Sequence, residues 1–255
     1  MHVKKLYEKS EITFAILWIV IYTVVTGTLK SKFGFDSLWP MLFLIVLSAA
    51  LLLFVKRNGL MEKYGLSCWT KNSRAMLWLI PLWIVSCINL SGGLTLKTPV
   101  PGVIYAAVSM ALVGYVEEQL FRGFLFKAML KDGSVKAAVI VSSVTFALGH
   151  LTNLFSGQNL VDTLNQIFFA IGVGLAFTMV YYKGGSLLPC ILAHSFIDVC
   201  SVFAPDEGSQ RLNVIVHVVS LVVCVAYAIY LMKRVETPRI NRPEMQKESA
   251  PCPEK

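Results

Sequence analysis

Long apolar runs, each nearly free of charge, constrain this chain more than any other feature of its sequence. A run of about 17 or more such residues is long enough to cross the hydrocarbon core of a bilayer as a helix. In lipid every main-chain polar group needs an internal partner, so such runs must be helical. We therefore predict an all-α polytopic membrane protein, a bundle of about eight transmembrane helices. They cover residues 12–28, 38–55, 75–90, 101–130, 136–152, 160–182, 186–203 and 211–232.

Composition agrees with this interpretation and excludes an ordinary soluble domain. Charged residues make up only 15% of the chain, whereas soluble domains carry about 25%. The mean hydropathy is +0.65. Residues 1–235 are predicted to form one transmembrane domain. Residues 236–255 are polar and proline-rich, which is typical of disorder, so we predict a disordered cytoplasmic tail there.

The basic residues orient the predicted helices. If successive loops alternate between the two sides of the membrane, 18 of the 23 Lys and Arg residues fall on one side. Only Lys30, Lys32, Lys97 and Arg211 fall on the other side. Cytoplasmic loops carry such an excess of Lys and Arg. We therefore predict a cell-membrane protein with both termini in the cytoplasm. The net charge of +8 reflects this topology, and no nucleic-acid partner is expected.

Ionisable side chains at membrane depth are rare, face the bundle interior and mark functional sites. In this chain they occur in four predicted helices, as Glu117, Glu118 and Arg122 in the fourth, His150 in the fifth, His194 and Asp198 in the seventh, and His217 in the eighth. Their placement in lipid-facing sequence predicts a polar cavity inside the bundle. His217 lies near a helix end, and we interpret it as a hydrogen-bonding partner between helices.

Spacing and depth sort these residues into a cluster. Glu118 and Arg122 are four residues apart, with the acid first, the favoured order for a helical ion pair. His194 and Asp198 have the same spacing, and Phe146 has it with His150. At 1.5 Å per residue, Glu117, His150, His194 and Asp198 lie about 15 to 21 Å from the predicted cytoplasmic helix ends. This common level predicts that these side chains meet near the middle of the bilayer.

Two chemistries suit such a cluster. Glu117, His150, His194 and Asp198 could hold Zn²⁺ or another divalent metal that activates a bound water. Alternatively, Glu117 acts without metal as the general base on a water, and the histidines hold that water or stabilise an oxyanion. In both cases the reaction is hydrolysis, and we expect an amide to be the bond that is cleaved. A non-catalytic alternative is an immunity protein or transporter that uses the cluster as an ion or proton site.

Three motifs in this region resemble the signature of a known family. The segments EEQLFRG, FALGH and AHSFID match the patterns EExxxR, FxxxH and HxxxN/D of the CAAX protease and bacteriocin-processing (CPBP, Abi) family of intramembrane proteases. The resemblance covers about residues 101–203. It implies a bundle of about eight helices that cleaves a peptide or protein in or at the lipid bilayer.

The resemblance also implies roles for individual residues. Glu117 would be the water-activating glutamate, and His150, His194 and Asp198 would complete the site. Glu118, Arg122 and Phe146 would support it. The eukaryotic prenyl endopeptidases of this family usually have asparagine at the last position. Asp198 therefore follows the bacterial variant, which weakens any transfer of prenyl specificity.

Overall fold

The computed structural model describes residues 2–70, 72–91, 93–205 and 210–242. Throughout these ranges the regular elements are helices and there is no strand, which confirms the predicted all-α class. The α-helices are α1 (His2–Lys9), α2 (Glu11–Phe33), α3 (Leu38–Arg57), α4 (Ile80–Ser86), α5 (Val100–Glu117), α6 (Lys127–Asp132), α7 (Val135–Leu148), α8 (Leu160–Gly184), α9 (Leu188–Phe203) and α10 (Gln210–Arg234). A π-helical segment, Glu118–Phe126, joins α5 to α6 without a break.

Six of the helical stretches are long and apolar enough to cross a membrane, which makes the chain a multi-pass membrane protein. They are Glu11–Phe33, Leu38–Arg57, Val100–Lys131, Val135–Ser156, Leu160–Gly184 and Asn213–Arg234. The prediction of eight such helices is therefore wrong at two places. Leu77–Ser86 and Leu188–Phe203 have 10 and 16 residues and are about 15 and 24 Å long, short of the roughly 30 Å hydrocarbon core.

The third predicted helix fails for a local reason. Leu77, Trp78 and Leu79 have φ angles of +53°, +53° and +62°, in the left-handed region. Side chains with a Cβ disfavour that region, so three such residues in succession end any regular right-handed helix. The helix restarts as α4, with a proline in its first turn, where the missing N–H costs little. Apolar composition alone carries no sign of this interruption.

The helix ends meet at two opposite ends of the bundle. At the first, which we call the basic end, Glu11 at the start of α2 lies 2.6 Å from Lys63 and 3.5 Å from Lys131. At the opposite end, Lys30 donates a 2.7 Å hydrogen bond to Asn153. Lys127 and Lys183 also lie at the basic end, where they bond to Asn241 and Thr237, so described parts of the Lys- and Arg-rich loops meet there.

The beginning of the predicted tail packs against the basic end. Asn241 is fully buried and donates to two main-chain carbonyls near the end of α8, at 2.8 and 2.9 Å. It accepts a 2.8 Å hydrogen bond from Lys127, whose side chain is also buried. Residues 236–242 therefore depart from the predicted disorder, because Asn241 satisfies groups that α8 and α6 leave open. The rest of the predicted tail, 243–255, lies outside the described residues.

Candidate active site

The site begins where α5 passes into the π-helical segment. Glu117 is the last residue of α5, and Glu118 is the first residue of the π segment. Single π turns inside α-helices frequently occur at functional sites, since they shift the register of the side chains that follow. The predicted pair is present despite this shift. The Arg122 Nη1 lies 2.8 Å from the Glu118 Oε1, and both side chains are fully buried.

Aromatic rings surround the Arg122 guanidinium. Its central carbon lies 4.1 Å from the ring centre of Phe146 and 5.6 Å from that of Phe177. A guanidinium over an aromatic face is attracted by the ring quadrupole, more strongly when desolvated. The Phe146 ring also lies 5.7 Å from His150 and 5.5 Å from His194, edge to face. Phe146 therefore contacts the Arg122 guanidinium and both histidine rings.

A glycine allows α5 and α9 to approach closely at this level. A Cβ added to Gly114 would lie 2.5 Å from the main-chain nitrogen of Ser195, which a real side chain could not tolerate. The Ser195 hydroxyl donates a 2.8 Å hydrogen bond to the Ala111 carbonyl across the same contact. Because Ser195 follows His194, this contact places the imidazole beside the two glutamates that lie one turn beyond Gly114.

His194 contacts three carboxylates. Its Nδ1 lies 2.8 Å from the Glu118 Oε1, and since a carboxylate accepts, Nδ1 carries the proton of this hydrogen bond. Its Nε2 faces the Glu117 Oε2 at 3.6 Å and the Asp198 Oδ2 at 3.5 Å. Glu118 thus fixes the orientation of the ring, and Nε2 remains directed at the other two acids.

Sequence reasoning missed one member of the site. The Tyr22 hydroxyl donates a 2.6 Å hydrogen bond to the Glu117 Oε1, and Tyr22 is only 5% exposed. Tyr22 lies 11 residues from each end of α2, about 16 Å along the helix. Tyrosines of membrane helices are enriched near the two interfaces. A tyrosine at mid-depth is therefore the signal that could have indicated this residue.

A cavity of about 480 Å³ connects these groups to water. Glu117, His150, His194 and Asp198 all line its wall, together with Tyr22. The Glu117 side chain remains 14% exposed and that of Asp198 21%, whereas Glu118 and Arg122 beneath them are fully buried. The cavity therefore reaches the two acids and the two histidines but not the ion pair that supports them.

The positions of the acidic and histidine side chains indicate whether they could coordinate one metal ion together. Among the residues that the structure describes, no three His, Cys, Asp or Glu side chains converge closely enough to hold an ion. Glu117 and Asp198 each approach the His194 Nε2, at 3.6 and 3.5 Å, and His150 lies against the Phe146 ring. As placed in the described structure, the four predicted ligands do not form one coordination cluster, and a bound metal stays a prediction.

His217 forms the interhelical hydrogen bond that the sequence analysis expected. Its Nδ1 lies 2.7 Å from the Asn165 side-chain amide on α8, and its ring lies 4.8 Å from that of Phe169. It also lines the cavity that holds Glu117. This second position was not anticipated, because His217 falls outside the three motifs.

One region of the chain matches a known protein family. Residues 99–200, about two fifths of the chain, match the family described as type II CAAX prenyl endopeptidase Rce1-like. This region is an Rce1-like CAAX endopeptidase domain. The family is one of peptide hydrolases. The match confirms the resemblance drawn from the three motifs. The Rce1-like domain runs from the start of α5 into α9, so Tyr22 on α2 lies outside it.

One curated protein also matches part of the chain. A stretch of 119 residues is 29% identical to NADH-ubiquinone oxidoreductase chain 1 of Neurospora crassa. The match covers 46% of this chain and 31% of that protein, so the chain spans about a third of the length of its curated relative. A likeness of this extent does not show a shared family. No solved structure matches the chain.

Proposed function

We propose that the protein is an intramembrane endopeptidase that hydrolyses a peptide bond in a small membrane-associated peptide or protein. One observation carries the proposal. Inside a chain with an Rce1-like domain, the two oxygens of Glu117 have separate environments on a wetted cavity wall. Oε1 accepts the Tyr22 hydrogen bond at 2.6 Å, and Oε2 faces the His194 Nε2 at 3.6 Å. A carboxylate held in this way is suited to general base catalysis.

In the proposed first step, Glu117 takes a proton from a water on the cavity side. The separation of 3.6 Å between Oε2 and Nε2 is longer than a direct hydrogen bond, so both atoms keep capacity for a further partner. The hydroxide forms a bond to the carbonyl carbon of the substrate, and the carbonyl electron pair moves onto oxygen. His194 and His150 stabilise the resulting oxyanion from the cavity wall.

In the second step the tetrahedral intermediate collapses. The bond between the carbonyl carbon and the amide nitrogen breaks, and Glu117 returns its proton to the leaving amine. Asp198, 3.5 Å from the His194 Nε2, and Glu118, at Nδ1, stabilise the doubly protonated imidazolium, whose Nε2–H donates a hydrogen bond to the oxyanion. Glu118 and Arg122 hold His194 in place from below, as their 2.8 Å contacts support. No step requires a bound metal.

The substrate must meet the cavity in an extended form. A helix in lipid satisfies its own main-chain groups, so its carbonyls are closed to water until it unwinds. We therefore expect the cleaved segment to contain helix-breaking residues or to be an extended tail at the membrane.

The test is a terminomic comparison of cells that express the wild-type protein or the Glu117→Gln variant. New peptide termini should appear with the wild-type protein and be lost with Glu117→Gln, which keeps the volume of the side chain but cannot act as the base. Glu8→Gln on exposed α1 is the matched control and should leave those termini unchanged. Cleavage that survives Glu117→Gln would reject the assignment. A retained immunity phenotype in both Glu117→Gln and His194→Ala would favour the non-catalytic alternative.

A further inference from the structure

The cavity that contains Glu117 extends toward only one end of the bundle. Its wall includes Lys30 in the last turn of α2, Phe35 just beyond that helix, and Asp162 in the first turn of α8. It also includes exposed side chains at that end, such as Asn213. Of the described residues that line the cavity, none comes from the basic end. The opening therefore lies at the end opposite to the Lys- and Arg-rich loops.

The side of the cavity that faces the basic end is filled with protein. Residues 118–128 are all buried, and this block includes the Glu118–Arg122 pair and the Phe126 ring. Beyond it, Lys127 and Asn241 are hydrogen-bonded to each other and buried. Water and substrate therefore have no route to Glu117 through this part of the described structure.

The distribution of Lys and Arg residues assigns the two ends of the bundle to opposite faces of the membrane. Alternation of the loops predicts 18 of the 23 Lys and Arg residues on the side of the basic end, and such an excess marks the cytoplasmic face. We infer that substrate reaches the site from the extracytoplasmic face, as a polypeptide segment that has already been translocated. This inference rests on the proposed function and narrows its substrate class. A C-terminal motif lipidated in the cytoplasm would meet the closed end.

The wall near the opening is chemically suited to an extended polypeptide. Amide side chains are concentrated there, namely Asn89, Asn153, Gln158, Asn165, Gln166 and Asn213. Three of them form a connected set, since Gln166 Oε1 accepts from Asn153 at 2.8 Å and from Gln158 at 3.1 Å. An amide both donates and accepts, as a peptide main chain does. Such a wall can bind main-chain groups without selecting one side-chain sequence.

Cysteine labelling of intact cells tests the orientation without any measurement of proteolysis. Cys68 is exposed and lines a second cavity at the basic end together with Gly184 and Gly185. A reference protein carries Cys68→Ser, Cys87→Ser and Cys252→Ser. One variant restores Cys68, a second adds Q158C at the opening, and a third adds S31C. Ser31 is exposed at the same end but does not line the cavity.

A membrane-impermeant maleimide should label Q158C and S31C in intact cells. Cys68 should be labelled only after the cells are permeabilised. Labelling of Cys68 in intact cells, with Q158C protected until permeabilisation, would overturn the inference and leave the proposed endopeptidase untouched. Labelling of Q158C from neither side would also overturn it, because the opening would then not be accessible to water.

A second measurement tests the route itself. Modification of Q158C with a bulky maleimide should abolish the Glu117-dependent termini, whereas modified S31C should retain them. Retained cleavage in the modified Q158C protein would overturn the inferred route. If no Glu117-dependent termini exist in any sample, the proposed function fails, while the labelling result still decides on which side the cavity opens.

Discussion

The Tyr22 hydroxyl and the Glu117 carboxylate, 95 residues apart in the sequence, share a 2.6 Å hydrogen bond in the middle of the bundle. Tyr22 belongs to α2, which precedes the Rce1-like domain, so a helix outside that domain completes the site. The bond holds one carboxylate oxygen and leaves the other directed toward His194. It therefore orients the proposed general base from the side opposite to the imidazole.

Tyr22→Phe is expected to lower kcat and to change KM little. A hydrogen bond to a charged group contributes about 1.5–3 kcal/mol, which corresponds to about 10- to 100-fold in rate. The Phe ring keeps the packing of α2. Tyr7→Phe is the control, because it removes a hydroxyl that bonds to Tyr64 at 2.8 Å and accepts from Lys63 at 2.7 Å at the basic end, far from Glu117. Equal rates for both variants and the wild type would show that Tyr22 does not position Glu117.

Arg122→Met is expected to destabilise the fold. It leaves the fully buried Glu118 carboxylate without the guanidinium and with His194 as its remaining partner among the described residues, and loss of one partner of a buried pair costs about 3–5 kcal/mol. The double variant Glu118→Gln/Arg122→Met removes both charges and should recover part of this loss. Thermal unfolding of the detergent-purified proteins measures both effects. A double variant less stable than Arg122→Met alone would contradict this account of the pair.

Gly114→Ala is expected to separate α5 from α9. The new Cβ would lie 2.5 Å from the Ser195 nitrogen and 2.6 Å from its Oγ, and such overpacking costs about 1–3 kcal/mol. Activity should fall further than stability, because the shift moves His194 away from Glu117 and Glu118. In Gly149→Ala, the control, a Cβ meets nothing within 4 Å. An unchanged melting temperature and activity in Gly114→Ala would refute the close approach.

Asn241→Ala is expected to loosen the C-terminal segment from the basic end. The variant removes one acceptor of the buried Lys127 ammonium and the donors to two α8 carbonyls. Leaving buried polar groups unsatisfied costs about 1–3 kcal/mol. Asn72→Ala should cost less, since Asn72 makes longer bonds of 3.3 and 3.4 Å at the same end. Thermal unfolding and limited proteolysis of the C-terminal segment compare the two variants.

Metal content is expected to be substoichiometric in purified wild-type protein, and Glu117-dependent cleavage should survive a chelator. The reason is the placement of the donors, since no three of the described His, Cys, Asp or Glu side chains are arranged to hold an ion. Elemental analysis of the wild type and of Asp198→Ala provides the measurement. One equivalent of zinc in the wild type, lost in Asp198→Ala, would require a rearranged site.

The sequence predicts well whatever depends on composition and helical spacing. The apolar runs indicated the long helices, and the four-residue spacing of Glu118 and Arg122 indicated their pair. It does not predict what depends on backbone irregularity or long-range contact. The left-handed residues Leu77–Leu79 interrupt a run that reads as continuous helix. Tyr22 reaches Glu117 only because α2 packs against the π segment, and no local pattern carries that information.

The block of buried side chains beneath Arg122 has a consequence for the cell as well as for the reaction. This block closes the cavity at one end. Water can therefore reach Glu117 from the open end, but the cavity does not continue to the basic end. The proposed hydrolysis would thus be supplied with water where lipid excludes it, and within the described residues no continuous water-filled path joins the two ends of the bundle. Many copies of such a protein in one membrane would therefore not leak protons and would not dissipate the proton-motive force.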